Sequence, residues 1–144
     1  MRKLASLLLL FAVLTSCDTT SSEEKIANLN GYWEISTAER EDGSIKEFRY
    51  SEMVDYIVVE NNKGFRKKVR PQLGGTFITS DDEELLEVKL ENDSINLYYT
   101  TPYNKWKETL LSSEEEEIVV RNQHGITYTY KRFTPYSSDY EQEK

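Results

Sequence analysis

The sequence predicts an all-β protein built as a single antiparallel up-and-down β-barrel of about eight or nine strands. Ten tyrosines among 144 residues favour the half-buried surface of a sheet. Apolar and polar residues alternate in short runs, which is the two-residue period of strands. The turn signals Asn61-Asn62 and Asn92-Asp93 separate neighbouring runs by hairpin-length gaps. A meander of hairpins that closes on itself leaves no exposed edge, so a barrel is expected.

The alternating runs predict nine strands between residues 32 and 133. The clearest runs are 85–91 and 95–100, where every second residue is apolar or aromatic. No run has the length and period of a long helix. The predicted strands are 32–37, 54–60, 65–70, 76–79, 85–91, 95–100, 105–111, 117–121 and 126–133.

The first sixteen residues have the layout of a secretory leader. Two basic residues precede the apolar run 4–14, which is too short to cross a bilayer. The tetrapeptide Leu-Thr-Ser-Cys that ends at Cys17 resembles a bacterial lipobox. The resemblance implies that Cys17 becomes the first mature residue and carries acyl chains, which would hold the protein on a membrane. An ordinary cleaved leader with a chance cysteine is the alternative.

Composition divides the chain into four segments. We expect a lipoprotein signal peptide at 1–16, a lipidated flexible tether at 17–25, a barrel domain at 26–134 and a disordered tail at 135–144. The acidic residues after the cysteine resemble the export tags of surface lipoproteins in Bacteroidota, although a solvated linker has the same composition. The expected location is therefore the cell envelope, at the outer membrane, with the periplasmic and surface leaflets both open.

Charge and cysteine content exclude several functional classes. The chain has 18 basic and 26 acidic residues, a net charge of −8, so a nucleic-acid partner is not expected. Cys17 is the only cysteine, which excludes a disulfide and a catalytic or metal-binding cysteine in the folded part. The expected partners are the membrane, through acyl chains on Cys17, and either a small apolar ligand or an envelope protein.

The first and last predicted strands resemble those of lipocalin-like domains. Residues 29–34 carry a Gly-x-Trp signature that ends at Trp33, and residues 110–133 resemble the closing hairpin of small lipocalin-like lipoproteins from Bacteroidota. The resemblance covers about residues 26–134 and implies a lipocalin-like barrel. It also implies that Trp33 and Arg132 form a structural pair that closes one barrel end. Such a cation over a Trp face contributes roughly 0.5–2 kcal/mol.

No catalytic, cofactor or metal site is recognisable in the sequence. His124 is the only histidine and lies in a predicted turn, without the partners that a nucleophile or zinc site needs. The acidic runs 81–84 and 114–117 lack the spacing and the glycine of a calcium loop, so solvated turns are expected. A hydrolase would need a nucleophile–base pair that the sequence does not show. We therefore expect a protein that is not an enzyme.

The barrel interior is expected to be either a packed core, which is favoured, or a cavity for one small ligand. An eight-stranded barrel is just wide enough for either. Glu108 shares a strand face with Trp106, so it is expected to point inward, where a carboxylate needs a partner such as a tyrosine hydroxyl. The possible ligand-cavity residues are Trp106, Glu108, Tyr99, Tyr128 and Tyr130, and the other inward candidates are Trp33, Ile35, Leu86, Val88, Leu90, Ile95 and Leu97.

Three cations alternate along one predicted strand. Arg66, Lys68 and Arg70 share one face, and Lys67 lies on the other. In an acidic protein this stripe is a possible patch for an anionic ligand or partner. An outer face whose cations pair with glutamates of neighbouring strands is the favoured interpretation.

Two functions therefore stay open for the barrel. One is a binding module that holds a small apolar or amphipathic molecule. The other is a solid barrel that serves as an interaction subunit of an envelope complex. The volume of the inward side chains discriminates between them, because a filled interior leaves no room for a ligand.

Overall fold

The computed structural model describes residues 20–135, which form one short helix and ten strands. The predicted signal peptide, Cys17 and residues 136–144 of the tail lie outside the described residues, so those interpretations stay predictions. The elements are α1 (Ser22–Asn28), β1 (Gly31–Glu39), β2 (Ile45–Glu47), β3 (Val54–Glu60), β4 (Lys63–Pro71), β5 (Phe77–Thr79), β6 (Glu84–Glu91), β7 (Ser94–Thr100), β8 (Lys105–Ser113), β9 (Glu117–Asn122) and β10 (Thr127–Arg132).

The sheet closes into an antiparallel barrel. Eight of the ten strands form the ring in the order β1-β3-β4-β6-β7-β8-β9-β10, and β10 pairs back onto β1 with Trp33 opposite Arg132. The other two strands pair with strands of this ring, β2 with β1 and β5 with β4. The predicted all-β barrel is confirmed, and each of the nine predicted strands is present. β2 was not predicted, because its three residues are all exposed and give no alternation of burial.

Two tight hairpins fix the register of the barrel wall. Asn61 and Asn62 have φ of 51° and 62°, and Asn92 and Asp93 have φ of 48° and 64°. These left-handed pairs are the two-residue turns whose twist matches that of the flanking strands, and Asn and Asp tolerate the conformation better than other side chains. The turns therefore dictate which inward residues face each other across β3–β4 and β6–β7.

The helix α1 occupies part of the segment predicted as a flexible tether. That prediction is wrong for residues 22–25, because the Ser21 hydroxyl accepts a hydrogen bond from the Glu24 backbone at 3.2 Å and caps the helix. Ile26 at the end of the helix and Leu29 just after it are buried in the core, which fixes α1 across one barrel end. Between residues 20 and 135, no helix has the length and apolar character that a membrane span requires.

One continuous hydrophobic core fills the barrel from this capped end toward the middle. Leu90, one of the predicted inward residues, is an exception and is 55 % exposed. It lies beside the β6–β7 turn in an open groove against α1, beyond the enclosed part of the barrel. The buried cluster comprises Ile26, Leu29, Trp33, Ile57, Val59, Leu86, Val88, Ile95, Leu97, Tyr99, Leu110, Ile118, Val120 and Tyr130, with Ile35, Trp106 and Tyr128 partly buried against it.

Candidate functional site

One end of the barrel is closed by Trp33. Its side chain is fully buried, and the indole Nε1 donates a hydrogen bond to the Leu29 carbonyl oxygen at 2.8 Å. The guanidinium carbon of Arg132 lies 4.2 Å from the centroid of the Trp33 ring. The structure thus brings Trp33 and Arg132 together, as the resemblance described above implies.

Arg132 also ties the closed end to the backbone before β1. Its Nη1 and Nη2 donate to the carbonyl oxygens of Asn30 and Asn28, each at 3.0 Å, and its Nε donates to the Glu115 carbonyl oxygen. Gly31 has φ of +128°, and a Cβ there would lie 2.5 Å from Arg132 Nη1. The glycine of the Gly-x-Trp signature is therefore needed for the guanidinium to approach. This end is structural.

The opposite end of the barrel opens into a cavity of about 430 Å³, which we call the mouth cavity. Beneath its floor the enclosed space shrinks to about 10 Å³, among Leu97, Tyr99, Ile118 and their neighbours. That volume holds about one water molecule at most, so the inner half of the barrel is packed. The mouth cavity is lined by Arg66, Lys68, Asn104, Trp106, Lys107, Glu108, Asn122, Gln123, His124, Tyr128 and Tyr130.

The floor of the mouth cavity is an ionic cluster around Arg66. The Arg66 Nε lies 2.5 Å from Glu84 Oε2, and its Nη1 lies 3.4 Å from Glu108 Oε2. The guanidinium carbon lies 4.1 Å from the centroid of the Tyr99 ring. The side chains of Arg66 and Glu108 are only 12 % and 8 % exposed. Buried charges of this kind are tolerated because each is paired.

The other two cations of the stripe are both exposed to solvent. Lys68 Nζ is 2.5 Å from Asp55 Oδ1, and Lys68 is 59 % exposed whereas Asp55 is 3 % exposed. Arg70 and Glu52 form an exposed pair at 3.6 Å.

The predicted outer patch of Arg66, Lys68 and Arg70 is therefore wrong in its placement. The three side chains do share a face and pair with carboxylates, but Arg66 lies inside the barrel and Lys68 at its mouth. The reason lies in the pairing of β4 with β3. Arg66 lies directly opposite Ile57 and therefore shares the side of the hairpin that carries the core residues Ile57 and Val59, whereas Val54 and Val69 are buried on the other side, outside the barrel core.

Four of the five predicted cavity residues line the mouth cavity: Trp106, Glu108, Tyr128 and Tyr130. Tyr99 lies one layer deeper, 1 % exposed, and stacks on Trp106 with ring centroids 5.4 Å apart. The predicted inward direction of Glu108 is correct, and the Tyr99 hydroxyl supplies the predicted kind of hydrogen-bond partner. Its ionic partner is Arg66, which was expected on the outer face. Asp55 is thus the site residue that the sequence did not single out, whereas Arg66 was singled out but placed on the outer face.

Burial governs the protonation of the cavity floor. Desolvation raises the pKa of Glu108 above its ordinary value, and the nearby Arg66 guanidinium opposes this shift only in part. Desolvation likewise raises the pKa of Tyr99 and of Tyr130, so both hydroxyls stay protonated donors at neutral pH.

The raised pKa of Glu108 predicts a pH-dependent contribution to stability. The folded state binds this proton more tightly than the unfolded state, so the contribution is complete below pH 4.5 and is lost as the pH rises through the folded-state pKa. We expect Glu108→Gln, which cannot titrate, to gain stability relative to the parent protein between pH 4.5 and neutrality. Urea unfolding at a series of pH values measures this difference, and a difference that stays constant with pH would contradict it.

The remaining sequence candidates are scattered. His124 lies in the turn between β9 and β10, at the rim of the mouth cavity, where its backbone N–H donates to Asn122 Oδ1 at 2.9 Å. The acidic run 114–117 lies at the closed end, in the turn that leads into β9, whereas 81–84 leads into β6 at the mouth. Among residues 20–135, no three His, Cys, Asp or Glu side chains are grouped so that they could hold a metal ion.

Comparison with known proteins places this barrel in a family. The sequence model of the lipocalin-like domain matches residues 29–120. A lipocalin-like protein from Bacteroides uniformis ATCC 8492 is similar in structure, with a TM-score of 0.47 and 10 % identity over 74 % of this chain and 99 % of that chain. No curated protein matches the sequence. Because the family match covers more than half of the chain and includes Trp33, the chain belongs to the lipocalin-like domain family.

Proposed function

We propose that the protein is a lipid-anchored binding protein of the cell envelope that holds one small molecule in its mouth cavity and catalyses no reaction. The mouth cavity of about 430 Å³ is the single observation that carries this proposal. Small-molecule sites have volumes of this order, with apolar walls and a few convergent polar groups. Trp106 and Tyr128 supply such walls here, and Asn104 and Asn122 supply polar groups.

The packed inner half of the barrel limits where a ligand sits. The enclosed space beside Leu97 and Ile118 is about 10 Å³, so a long apolar chain has no room below the ionic floor. The ligand therefore occupies only the outer half of the barrel, between Trp106 and the rim. This favours a compact molecule over an extended lipid.

Native mass spectrometry of the mature protein, purified gently from its own host, tests the binding function. We expect a reproducible small added mass that disappears on denaturation. Trp106→Ala, which removes one wall of the cavity, should reduce the bound fraction, and Leu111→Ala on an exposed site outside the lining serves as the control. A bare mass for the parent protein would contradict ligand binding.

The anchor is a separate part of the proposal and rests on Cys17 alone. We expect labelled palmitate to be incorporated into the parent protein and to be absent from Cys17→Ala, because that cysteine is the only thiol in the chain. In detergent phase partitioning, the parent protein should enter the detergent phase and Cys17→Ala should stay in the aqueous phase. Equal labelling of both proteins would exclude acylation at Cys17.

The packed interior also supports a second candidate, a solid-barrel interaction subunit of an envelope complex. Large apolar side chains are exposed near the mouth, with Leu73 89 % and Tyr103 96 % exposed. Single exposed apolar residues are common on proteins, so this observation is weaker than the cavity. A bare mass in the experiment above, together with a co-purifying envelope protein, would favour this candidate.

A further inference from the structure

We propose that the molecule held in the mouth cavity is an organic anion with a flat apolar group, whose acid group pairs with the Lys68 ammonium while its apolar group lies against Trp106. This inference rests on the binding function proposed above and names the chemical class of its ligand.

The mouth cavity is lined by more basic than acidic residues, although the protein as a whole is acidic. The chain carries a net charge of −8, yet the charged residues that line the cavity are Arg66, Lys68 and Lys107 on the basic side and Glu108 on the acidic side. Lys107 alternates with Trp106 and Glu108 on β8, so its side chain belongs to the outer face of the strand. Two cations and one carboxylate therefore face the cavity itself, and the carboxylates of Glu84 and Asp55 pair with those cations just outside the lining.

Two carboxylates of the cluster, those of Asp55 and Glu108, are more deeply buried than the cations with which they pair, whereas the third, Glu84, is 31 % exposed beside Arg66. Asp55 is 3 % exposed and Glu108 is 8 % exposed, whereas Lys68 is 59 % exposed. A ligand entering from solvent thus meets the ammonium first, and Asp55 holds that ammonium from below at 2.5 Å. Arg66 covers Glu108 on the cavity floor, at 3.4 Å, so a cationic ligand would have to displace or face a guanidinium before it reached the carboxylate. An anionic acid group is the better electrostatic match.

Trp106 provides the apolar surface. Its ring is partly buried against the core and stacks on Tyr99 with an interplanar angle of 16°, so the indole is held in position before a ligand binds. An indole fixed in this way can stack against a planar ring at little cost in side-chain entropy. The Tyr128 side chain lines the same cavity and extends the apolar wall.

Two fluorescent probes that differ only in the acid group test the inference. They are 1-anilinonaphthalene-8-sulfonate and its neutral parent, N-phenyl-1-naphthylamine. Both are titrated into residues 18–144 of the chain, which lack Cys17 and contain every element of the closed barrel. We expect the sulfonate to bind about tenfold more tightly than the neutral probe, the size of one charge-assisted contact. Its affinity should fall as NaCl is raised, because Lys68 is exposed to screening.

Substitutions at Lys68 and at its neighbour Lys67 test the role of the ammonium and provide the matched control. Lys68→Gln should weaken the sulfonate about five- to tenfold and leave the neutral probe unchanged, and Lys68→Arg should restore binding because the charge is kept. Lys67→Gln removes a cation from the outer face, where Lys67 pairs with Glu83, and should change neither probe. Far-UV circular dichroism and urea unfolding verify that each variant is folded.

The outcomes separate the two proposals. If neither probe binds the parent protein and the host-purified protein carries no small mass, the binding function itself is wrong. If the neutral probe binds as tightly as the sulfonate, or if Lys68→Gln and Lys67→Gln have equal effects, the cavity binds small molecules but the anionic class is overturned.

Discussion

Replacing Arg66 with methionine should lower the free energy of unfolding by about 3–5 kcal/mol, because it leaves the Glu108 carboxylate buried without its cation. Glu108 is 8 % exposed and lies 3.4 Å from Arg66 Nη1, whereas Glu84, the other partner, is 31 % exposed and can regain water. Urea unfolding followed by circular dichroism measures the loss. The destabilisation caused by Arg66→Met should also be smaller at low pH, where Glu108 is protonated.

A second substitution distinguishes a stranded charge from lost packing. The double variant Arg66→Met with Glu108→Leu replaces the buried pair by apolar groups and should recover most of the lost stability, since such replacements are often neutral or better. Arg70→Met, in the exposed pair with Glu52, is the matched control and should change stability by less than about 1 kcal/mol. A double variant no more stable than Arg66→Met alone would mean that the guanidinium stabilises the barrel mainly by packing against Tyr99.

Truncation of Trp33 to alanine is expected to cost about 3–5 kcal/mol, the range for a large buried aromatic side chain. The side chain is 0 % exposed, and its loss also removes the hydrogen bond to the Leu29 carbonyl oxygen and the surface on which Arg132 rests. Trp106→Ala, at the mouth, offers the internal comparison and should cost less than half as much, because its side chain is only partly buried. Urea unfolding followed by far-UV circular dichroism measures the stability of both variants. Equal losses in the free energy of unfolding would contradict the assignment of Trp33 as the closing residue.

Strand alternation and turn chemistry were enough to predict most of this barrel. The asparagine pair at 61–62 makes a two-residue turn, and in such a hairpin the register follows at once: Glu60 pairs with Lys63. Counting back along both strands places Asp55 opposite Lys68, as observed. That ion pair was therefore available to sequence reasoning, although the alternation of Asp55 with Ile57 and Val59 was not used to place the carboxylate inside.

The alternation of residues within β4 does not show which face of that strand points into the barrel. Both faces of Lys63–Pro71 carry cations, and the one valine among them, Val69, is buried on the outer face against Val54. The inward face is set by the pairing of Arg66 with the core residue Ile57, which is a contact between strands rather than a feature of the strand itself. The helix α1 was missed for another reason: seven residues give too little periodicity, so only the Ser21 cap and the burial of Ile26 identify it.

The position of α1 has a consequence for how an acylated form of the protein would be oriented on a membrane. If Cys17 is acylated, only residues 18–21 separate the lipid from the helix, a link of at most about 14 Å when fully extended. Because α1 covers the end closed by Trp33, that end would then be held toward the headgroups, and the open end would point into the aqueous compartment. The glutamates of the run 114–117 also lie at the closed end, and their negative charge disfavours contact with anionic lipids. The mouth cavity would then face the water and the closed end would face the bilayer, so a solute could enter from the water but not from the membrane.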